Sequence, residues 1–266
     1  SECEALRRRL AGRYTDSATG YGDGGRLLDG WRALPPVAAL AAHPRVCALL
    51  ELFYRRRAIP FQTLNFEVGT EQRAHSDAIH FDSVPHGFMC GVWVALEDVD
   101  GGNGPLFVVE GSHRLPRFDL HDIGLPRGFA SYRRYEDFVE ELVDASGLSR
   151  RELHLRRGQA VVWAANLLHG GTVIREPGRT RLSQVTHYYF EDCLWFQPLC
   201  SDLALGELAL KDVVDVRTGR RVPHRYRGRP VRTRSLRPRK SLGEWGAAVR
   251  RRLPAGPRAW GSPPGA

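Results

Sequence analysis

Residues 75–82 read His-Ser-Asp-Ala-Ile-His-Phe-Asp ("HSDAIHFD"), which holds two copies of the pattern His-x-Asp: His75 with Asp77, and His80 with Asp82. In a β-strand the side chains of residues i and i+2 project to the same face, so either pair could close on one metal ion with an imidazole nitrogen and a carboxylate oxygen. Such a pair is two thirds of a 2-His-1-carboxylate facial triad, the ligand set that leaves coordination positions open on Fe(II). Positions 75 and 77 share one parity, and 80 and 82 the other. If the segment is extended throughout, only one pair faces a barrel interior, and the stretch by itself does not say which.

Around this stretch the sequence has the texture of short strands. "FQTLNFEVG" (61–69) alternates, "FMCGVWVALEDV" (88–99) is apolar and β-rich, and "GPLFVVEGSH" (104–113) ends in a glycine turn. "QAVVWAANLLHGG" (159–171) and "RLSQVTHYYFE" (181–191) follow, and "KDVVDVRTGRRVPHRY" (211–226) predicts a hairpin turning at Thr218-Gly219. Short strands punctuated by Gly, Pro, Asn and Asp predict a mainly β double-sheet jelly roll. Before it, residues 1–57 read as helical. "ECEALRRRLAG" is short and charged, while "PPVAALAAHPRVCALLELFYRRR" carries Val37, Leu40, Val46, Leu49, Leu50 and Phe53 at spacings for one buried helix face, broken near Pro44. These helices are expected to pack outside the sheet. An insertion over 115–157 contains the helix "YEDFVEELVDASG", ended by Gly147, and reads as either a lid or a packing helix. The expected organisation is a helical section (1–57), a catalytic core (58–230) and a basic tail (231–266).

For the third metal ligand the sequence offers His169, at the end of an apolar strand and beside two glycines that allow close backbone approach. Twelve positions on stands Arg181, whose rigid guanidinium suits a bidentate hold on the distal carboxylate of a 2-oxo acid. Ser183, two residues further, shares its face and offers a second hydrogen bond.

The run "HSDAIHFDSVPHGFMCGVWVALEDVDGGNGPLFVVEGSHRLP", with "GQAVVWAANLLHGG" and "RTRLSQVTHYYF" after it, resembles the phytanoyl-CoA dioxygenase family of Fe(II)- and 2-oxoglutarate-dependent oxygenases. The resemblance implies a double-stranded β-helix, the jelly roll also seen in cupins. It also selects between the two pairs, because the family's strand Trp follows the metal-binding Asp at the spacing of Trp93 from Asp77, sixteen positions, and not at the eleven from Asp82. It therefore implies that His75, Asp77 and His169 hold iron and Arg181 holds 2-oxoglutarate, with O2 as the other cosubstrate. Ser183, Gln72, Thr63 and Trp93 are placed with the cosubstrate, and Asn65, His80, Asp82 and Trp163 toward substrate, with Trp93 and Trp163 reading also as core and His80 and Asp82 also as residues behind the ligands or in the following loop. Two departures are Glu110 at a usual proline and one extra residue in "GGTVIREPGRT", which makes Arg179 a competitor to Arg181; His187, six after Arg181, favours the latter. A carboxylate at 77 implies hydroxylation-type chemistry over halogenation, on a small-molecule substrate.

At 266 residues and 42% hydrophobic the chain can bury one substantial core. The net charge of +9 is not spread over it: residues 231–266 hold eight Arg and one Lys against one Glu, which leaves 30 basic and 29 acidic groups, or +1, for the rest. That pattern predicts a solvated, largely disordered extension in preference to a dedicated RNA- or membrane-binding arm. Five scattered cysteines without a C-x-x-C pair indicate neither a disulfide framework nor a zinc ribbon. No run is expected to reach the ~20 apolar residues of a membrane span, so the expected setting is cytoplasmic. Two rival readings stand beside the oxygenase: a cupin-type metalloenzyme that does not use 2-oxoglutarate and so needs no Arg181, and a jelly-roll binding module recruited by its Arg-rich tail.

Overall fold

The strands predicted by alternation form, and so does the break at Pro44. The computed structural model describes residues 2–14 and 26–231, so the basic tail expected from 231 onward lies outside the described residues after Val231. The helices are α1 (Glu2–Leu10), α2 (Pro35–Ala41), α3 (Pro44–Tyr54) and α4 (Tyr132–Ser146). The strands that build the core are β1 (Arg26–Leu28), β2 (Ala58–Phe66), β3 (Asp82–Val84), β4 (Met89–Ala95), β5 (Leu106–Val109), β6 (Arg150–Leu153), β7 (Ala160–Ala164), β8 (His169–Gly171), β9 (Ser183–Phe190) and β10 (Leu194–Phe196). A hairpin of β11 (Val213–Asp215) and β12 (Arg220–Val222) follows, with Gly219 at φ 64° in its turn.

The larger sheet is antiparallel in the order β1-β2-β9-β4-β7; against it stand the three-stranded β6-β5-β8 and the pair β10-β3. The result is the mainly β jelly roll that the sequence predicts, with helices outside, although the hydrogen bonding among the described residues does not close a barrel. Alternation divides the larger sheet into two faces. Phe66, Trp93, Ala95, Trp163 and Val185 turn inward and meet Leu106 of β5. Cys90, Val92, Val94, Tyr188 and Phe190 turn outward and are covered by Cys47 and Leu50 of α3. Leu6, Leu10, Leu34 and Val37 form a second helical cluster over Leu96. Full burial of each such aliphatic side chain contributes about 1.5–3 kcal/mol.

One expectation for the helices fails. Val37 and Leu50 are buried, but Leu49 is 42% and Phe53 61% exposed. The chain leaves helical geometry at Ala42 and His43, so α3 takes its own phase from Pro44 and buries the Cys47/Leu50 edge instead. Taken together, Pro35–Tyr54 does have the length and mean hydropathy (1.3) of a membrane span, contrary to the reading that no stretch qualifies. It is divided into two helices, however, and one edge of it lies on the sheet.

The insertion helix α4 ends at Gly147 (φ 65°) as predicted, and its inner edge, Tyr135, Val139 and Val143, is buried among Ile79, Phe107, Val109 and Leu168. It braces the segment just ahead of the first His-x-Asp pair. Glu140 accepts a hydrogen bond from the Ala74 backbone N–H (2.9 Å), and Asp137 pairs with Arg73 (2.5 Å).

Candidate metal centre and cosubstrate site

The first His-x-Asp pair does not lie in one continuous strand with the second. His75 forms an isolated antiparallel bridge with His169, each backbone N–H donating to the other's carbonyl at 3.0 Å. That reciprocal pairing sets two imidazoles, 94 positions apart in sequence, side by side, with ring centroids 4.4 Å apart. Gly170 permits the close approach: a Cβ there would lie 2.5 Å from the Gln72 carbonyl and 2.6 Å from the Phe107 ring. The chain then turns. Ser76 caps a 3-10 turn over Asp77–Ile79 by accepting from the Ala78 N–H, so the extended parity that related 75/77 to 80/82 ends at Asp77.

The ligand atoms of His75, Asp77 and His169 all lie within 4.8 Å of one another, and all three residues are buried. His75 Nε2 is 3.9 Å from Asp77 Oδ1, and His169 Nε2 is 3.9 Å from Oδ2. Each imidazole has its Nδ1 on the backbone carbonyl two residues earlier, Arg73 O at 3.0 Å and Leu167 O at 2.9 Å. Those carbonyls fix Nδ1 as the protonated nitrogen and leave the Nε2 lone pairs facing the carboxylate, as a metal ligand requires. Burial, with His169 beside it, lowers the pKa of His75 to about 4 and so keeps it neutral. Burial alone would raise Asp77, but His169, His187 and His75 together outweigh it and hold the carboxyl well below the usual range.

Arg181 is 1% exposed and carries its guanidinium over the rings of Phe66 and Trp93, 5.7 and 5.8 Å from their centroids. Its Nη1 donates to the Gly104 carbonyl at 2.9 Å, while its Nε has no partner among the described residues. Among the described residues it makes no ion pair, and burial lowers its pKa to about 10. Ser183 Oγ and Trp93 Nε1, on the same inner face, are likewise buried without hydrogen-bond partners. A buried cation accompanied by two unsatisfied polar groups suits a carboxylate ligand. Arg179 differs, being only half-buried and held by Asp100 and Glu176.

Several predicted residues are placed elsewhere. Thr63 and Asn65 do not line the inner face. They stand opposite Thr186 and Gln184 on the side covered by helices, where Asn65 Nδ2 donates to Gln184 Oε1 (3.1 Å) and Gln184 Nε2 to the Val37 carbonyl. The irregularity in β2 between Pro60 and Gln62 shifts the register so that Gln62 meets His187 instead. Thr63→Val, which removes a buried hydroxyl without a partner, is expected to leave 2-oxoglutarate affinity unchanged and the thermal midpoint equal or higher, as read by titration and calorimetry. Asp82 is held by basic side chains: both its oxygens take Arg117 Nη1 at 3.1 Å, and Oδ2 takes His86 Nδ1 at 2.8 Å. His80 packs beside Tyr132, ring centroids 4.8 Å apart. Gln72 Nε2 approaches His75 Nε2 at 3.4 Å, at the edge of the centre.

Trp163, expected toward substrate, instead donates its indole N–H to Asp77 Oδ2 at 2.8 Å. Sequence reasoning passed over His187 as a site residue. It is buried, with Nε2 3.5 Å from Asp77 Oδ2 and Nδ1 3.0 Å from Gln62 Oε1. Its parity with Arg181 and Ser183 along β9 was the available signal.

The profile of the phytanoyl-CoA dioxygenase (PhyH) family matches residues 21–181, which include His75, Asp77, His169 and Arg181. The chain belongs to the phytanoyl-CoA dioxygenase family. Solved structures with the same fold include the non-heme α-ketoglutarate-dependent carbocyclase SnoK from nogalamycin biosynthesis, 18% identical over 80% of this chain and 84% of that one, with a TM-score of 0.61. The epimerase SnoN, solved with Fe3+, α-ketoglutarate and nogalamycin RO, is 22% identical over 83% and 86%, with a TM-score of 0.56. EctD from S. alaskensis with bound Fe is 20% identical over 74% and 72%, also at 0.56. No curated protein matches the chain. As a phytanoyl-CoA dioxygenase relative the chain is a non-haem iron- and 2-oxoglutarate-dependent enzyme, and its donor set, two imidazoles and one carboxylate, fits Fe(II).

Proposed function

We propose that the protein is an Fe(II)- and 2-oxoglutarate-dependent dioxygenase that oxidises a small-molecule substrate by hydroxylation, oxidative cyclisation or desaturation, within natural-product biosynthesis. The observation that carries this reading is the convergence of His75, Asp77 and His169 inside the same jelly roll as a buried Arg181 that pairs with no described carboxylate. A metalloenzyme without 2-oxoglutarate would give that guanidinium no use, and its burial would be uncompensated. Neighbours of this fold that are a carbocyclase from nogalamycin biosynthesis and an epimerase solved with nogalamycin RO favour tailoring of natural products.

When bound, iron and 2-oxoglutarate supply the oxidising chemistry: O2 is consumed, succinate and CO2 are released, and an unactivated C–H bond of the substrate is oxidised. The chain does the rest by holding and orienting. His75, Asp77 and His169 hold the metal, and the Arg73 and Leu167 carbonyls lock both rings with Nε2 inward. Arg181 and Ser183 bind the distal carboxylate of 2-oxoglutarate, with Trp93 donating beside them and Phe66 excluding water from the ion pair, which strengthens it. Gln72, whose Nε2 lies 3.4 Å from His75 Nε2, would donate to a cosubstrate oxygen.

Anaerobic addition of Fe(II) and 2-oxoglutarate to the protein is expected to produce the metal-to-ligand charge-transfer band of the chelate. A succinate-release screen over polyketide glycosides, cyclic amino acids and acyl substrates should then single out one class. No band, together with succinate release that never depends on a substrate, would overturn the reading.

A further inference from the structure

Asp77 presents two oxygens, and the protein treats them differently. Oδ2 accepts the Trp163 indole N–H at 2.8 Å in a fully buried contact, with His187 Nε2 at 3.5 Å and His169 Nε2 at 3.9 Å. Oδ1 lies 3.9 Å from His75 Nε2 and accepts no hydrogen bond from a described residue. The indole is placed deliberately. Trp163 on β7 sits directly opposite Gly91 on β4, and a Cβ at Gly91 would lie 2.4 Å from Trp163 Cε2 and 2.7 Å from Nε1. Only a glycine opposite lets the indole lie flat across the strand and reach the carboxylate. The ring also packs against His169, tilted by 42° with 4.7 Å between centroids, so one side chain touches two members of the ligand set.

We infer that Trp163, seated on Gly91, is a positioning residue that holds Oδ2 of Asp77 by its N–H and so reserves Oδ1 for the ion. This rests on the assignment of the metal to His75, Asp77 and His169. The chemical consequence is one-oxygen binding. A carboxylate oxygen already engaged by a charge-assisted hydrogen bond is a poorer ligand, and a carboxylate fixed in rotation cannot swing to chelate with both oxygens. The position that a second oxygen would take then stays open for the cosubstrates.

The test is a double-mutant cycle read by Co(II) affinity alone, measured by calorimetry on apo-protein without substrate. Trp163→Phe keeps an aromatic ring on Gly91 and removes only the N–H; it is expected to weaken Co(II) binding about tenfold, the ordinary effect of losing a hydrogen bond to a metal ligand. In an Asp77→Ala background, where there is no carboxylate to hold, the same change is expected to alter affinity by less than about twofold. A similar loss in both backgrounds, or none in the parent, would overturn the role of Trp163. Asp77→Ala binding Co(II) as tightly as the parent would overturn the metal assignment itself, a separate result. If Trp163→Phe does not fold by circular dichroism, Gly91→Ala, which pushes the indole off the carboxylate, takes its place in the cycle.

Discussion

Replacing Arg181 by Met is expected to raise the 2-oxoglutarate concentration needed for half-maximal turnover by about a hundredfold or more, while the apo-protein melts at a higher temperature than the parent. The first effect follows from removing one partner of a buried charge pair, a change that costs about 2–5 kcal/mol. The second follows from the state of Arg181 without its ligand. Its guanidinium is 1% exposed and keeps a single hydrogen bond to the Gly104 carbonyl, with Nε unsatisfied. Burial lowers its pKa to about 10, and the sign of that shift sets the pH window. Below pH 10 the folded and unfolded chains both carry the charge, and the folded chain bears the full desolvation cost, on the order of 3 kcal/mol. As pH rises from about 10 toward the ordinary arginine range, the folded chain releases its proton first and stability increases. Met, of similar length and without charge, removes the cost at neutral pH, so a gain of a few degrees is expected after loss of the Gly104 bond. Calorimetry with and without 2-oxoglutarate separates the two effects. Adding the ligand should stabilise the parent strongly and the Arg181→Met protein hardly at all. Unchanged 2-oxoglutarate dependence in the variant would remove Arg181 from the site.

Much of this arrangement was legible in the order of residues, and the parts that were not have physical causes. Alternation marked β2, β4, β7 and β9, because a half-buried strand must place apolar residues two apart on one face. The same rule gives Ser183 and His187 one face, yet it assigned Thr63 and Asn65 to the wrong side. Between Pro60 and Gln62 the pairing slips, and a slip of one residue exchanges the two faces. No feature of "IPFQTLN" announces that slip. The helix face failed for a related reason, since α3 resets its phase at Pro44 and turns Leu49 and Phe53 outward. The metal pair could not be chosen by parity either, because the 3-10 turn at Asp77–Ile79 rotates His80 and Asp82 out of register with His75. That turn depends on the Ser76 cap and on the Ala78 N–H reaching the Ala165 carbonyl, a contact between segments far apart in the chain. The resemblance to relatives chose the pair for which the structure supplies converging ligand atoms, whereas the residues alone left both open.

The choice between the pairs has a consequence that separates chemistry from folding. His75→Ala, Asp77→Ala and His169→Ala are each expected to abolish substrate-dependent succinate formation, with the apo-proteins remaining folded. Each removes one of three buried ligand atoms grouped within 4.8 Å, and no other described residue completes that set with the remaining two. His187 stands 3.5 Å from Asp77 Oδ2, but its second nitrogen is engaged by Gln62 Oε1, which ties the ring to β2. Asp82→Ala is expected to behave in the opposite way. Asp82 is 5% exposed and carries Arg117 and His86 on its oxygens, with Oδ1 also accepting the Ser83 N–H at 2.7 Å. Its removal should cost about 1–3 kcal/mol and lower the thermal midpoint while kcat and the charge-transfer band persist. Succinate release and calorimetry measured on both sets of variants decide the matter: a lost band in Asp82→Ala with a retained band in Asp77→Ala would move the metal to the second pair. The asymmetry is expected because a carboxylate that already has cationic partners is satisfied without metal. Asp77 has an indole and His187 on Oδ2, whereas its Oδ1, which accepts no hydrogen bond from a described residue, gains a partner when an ion arrives.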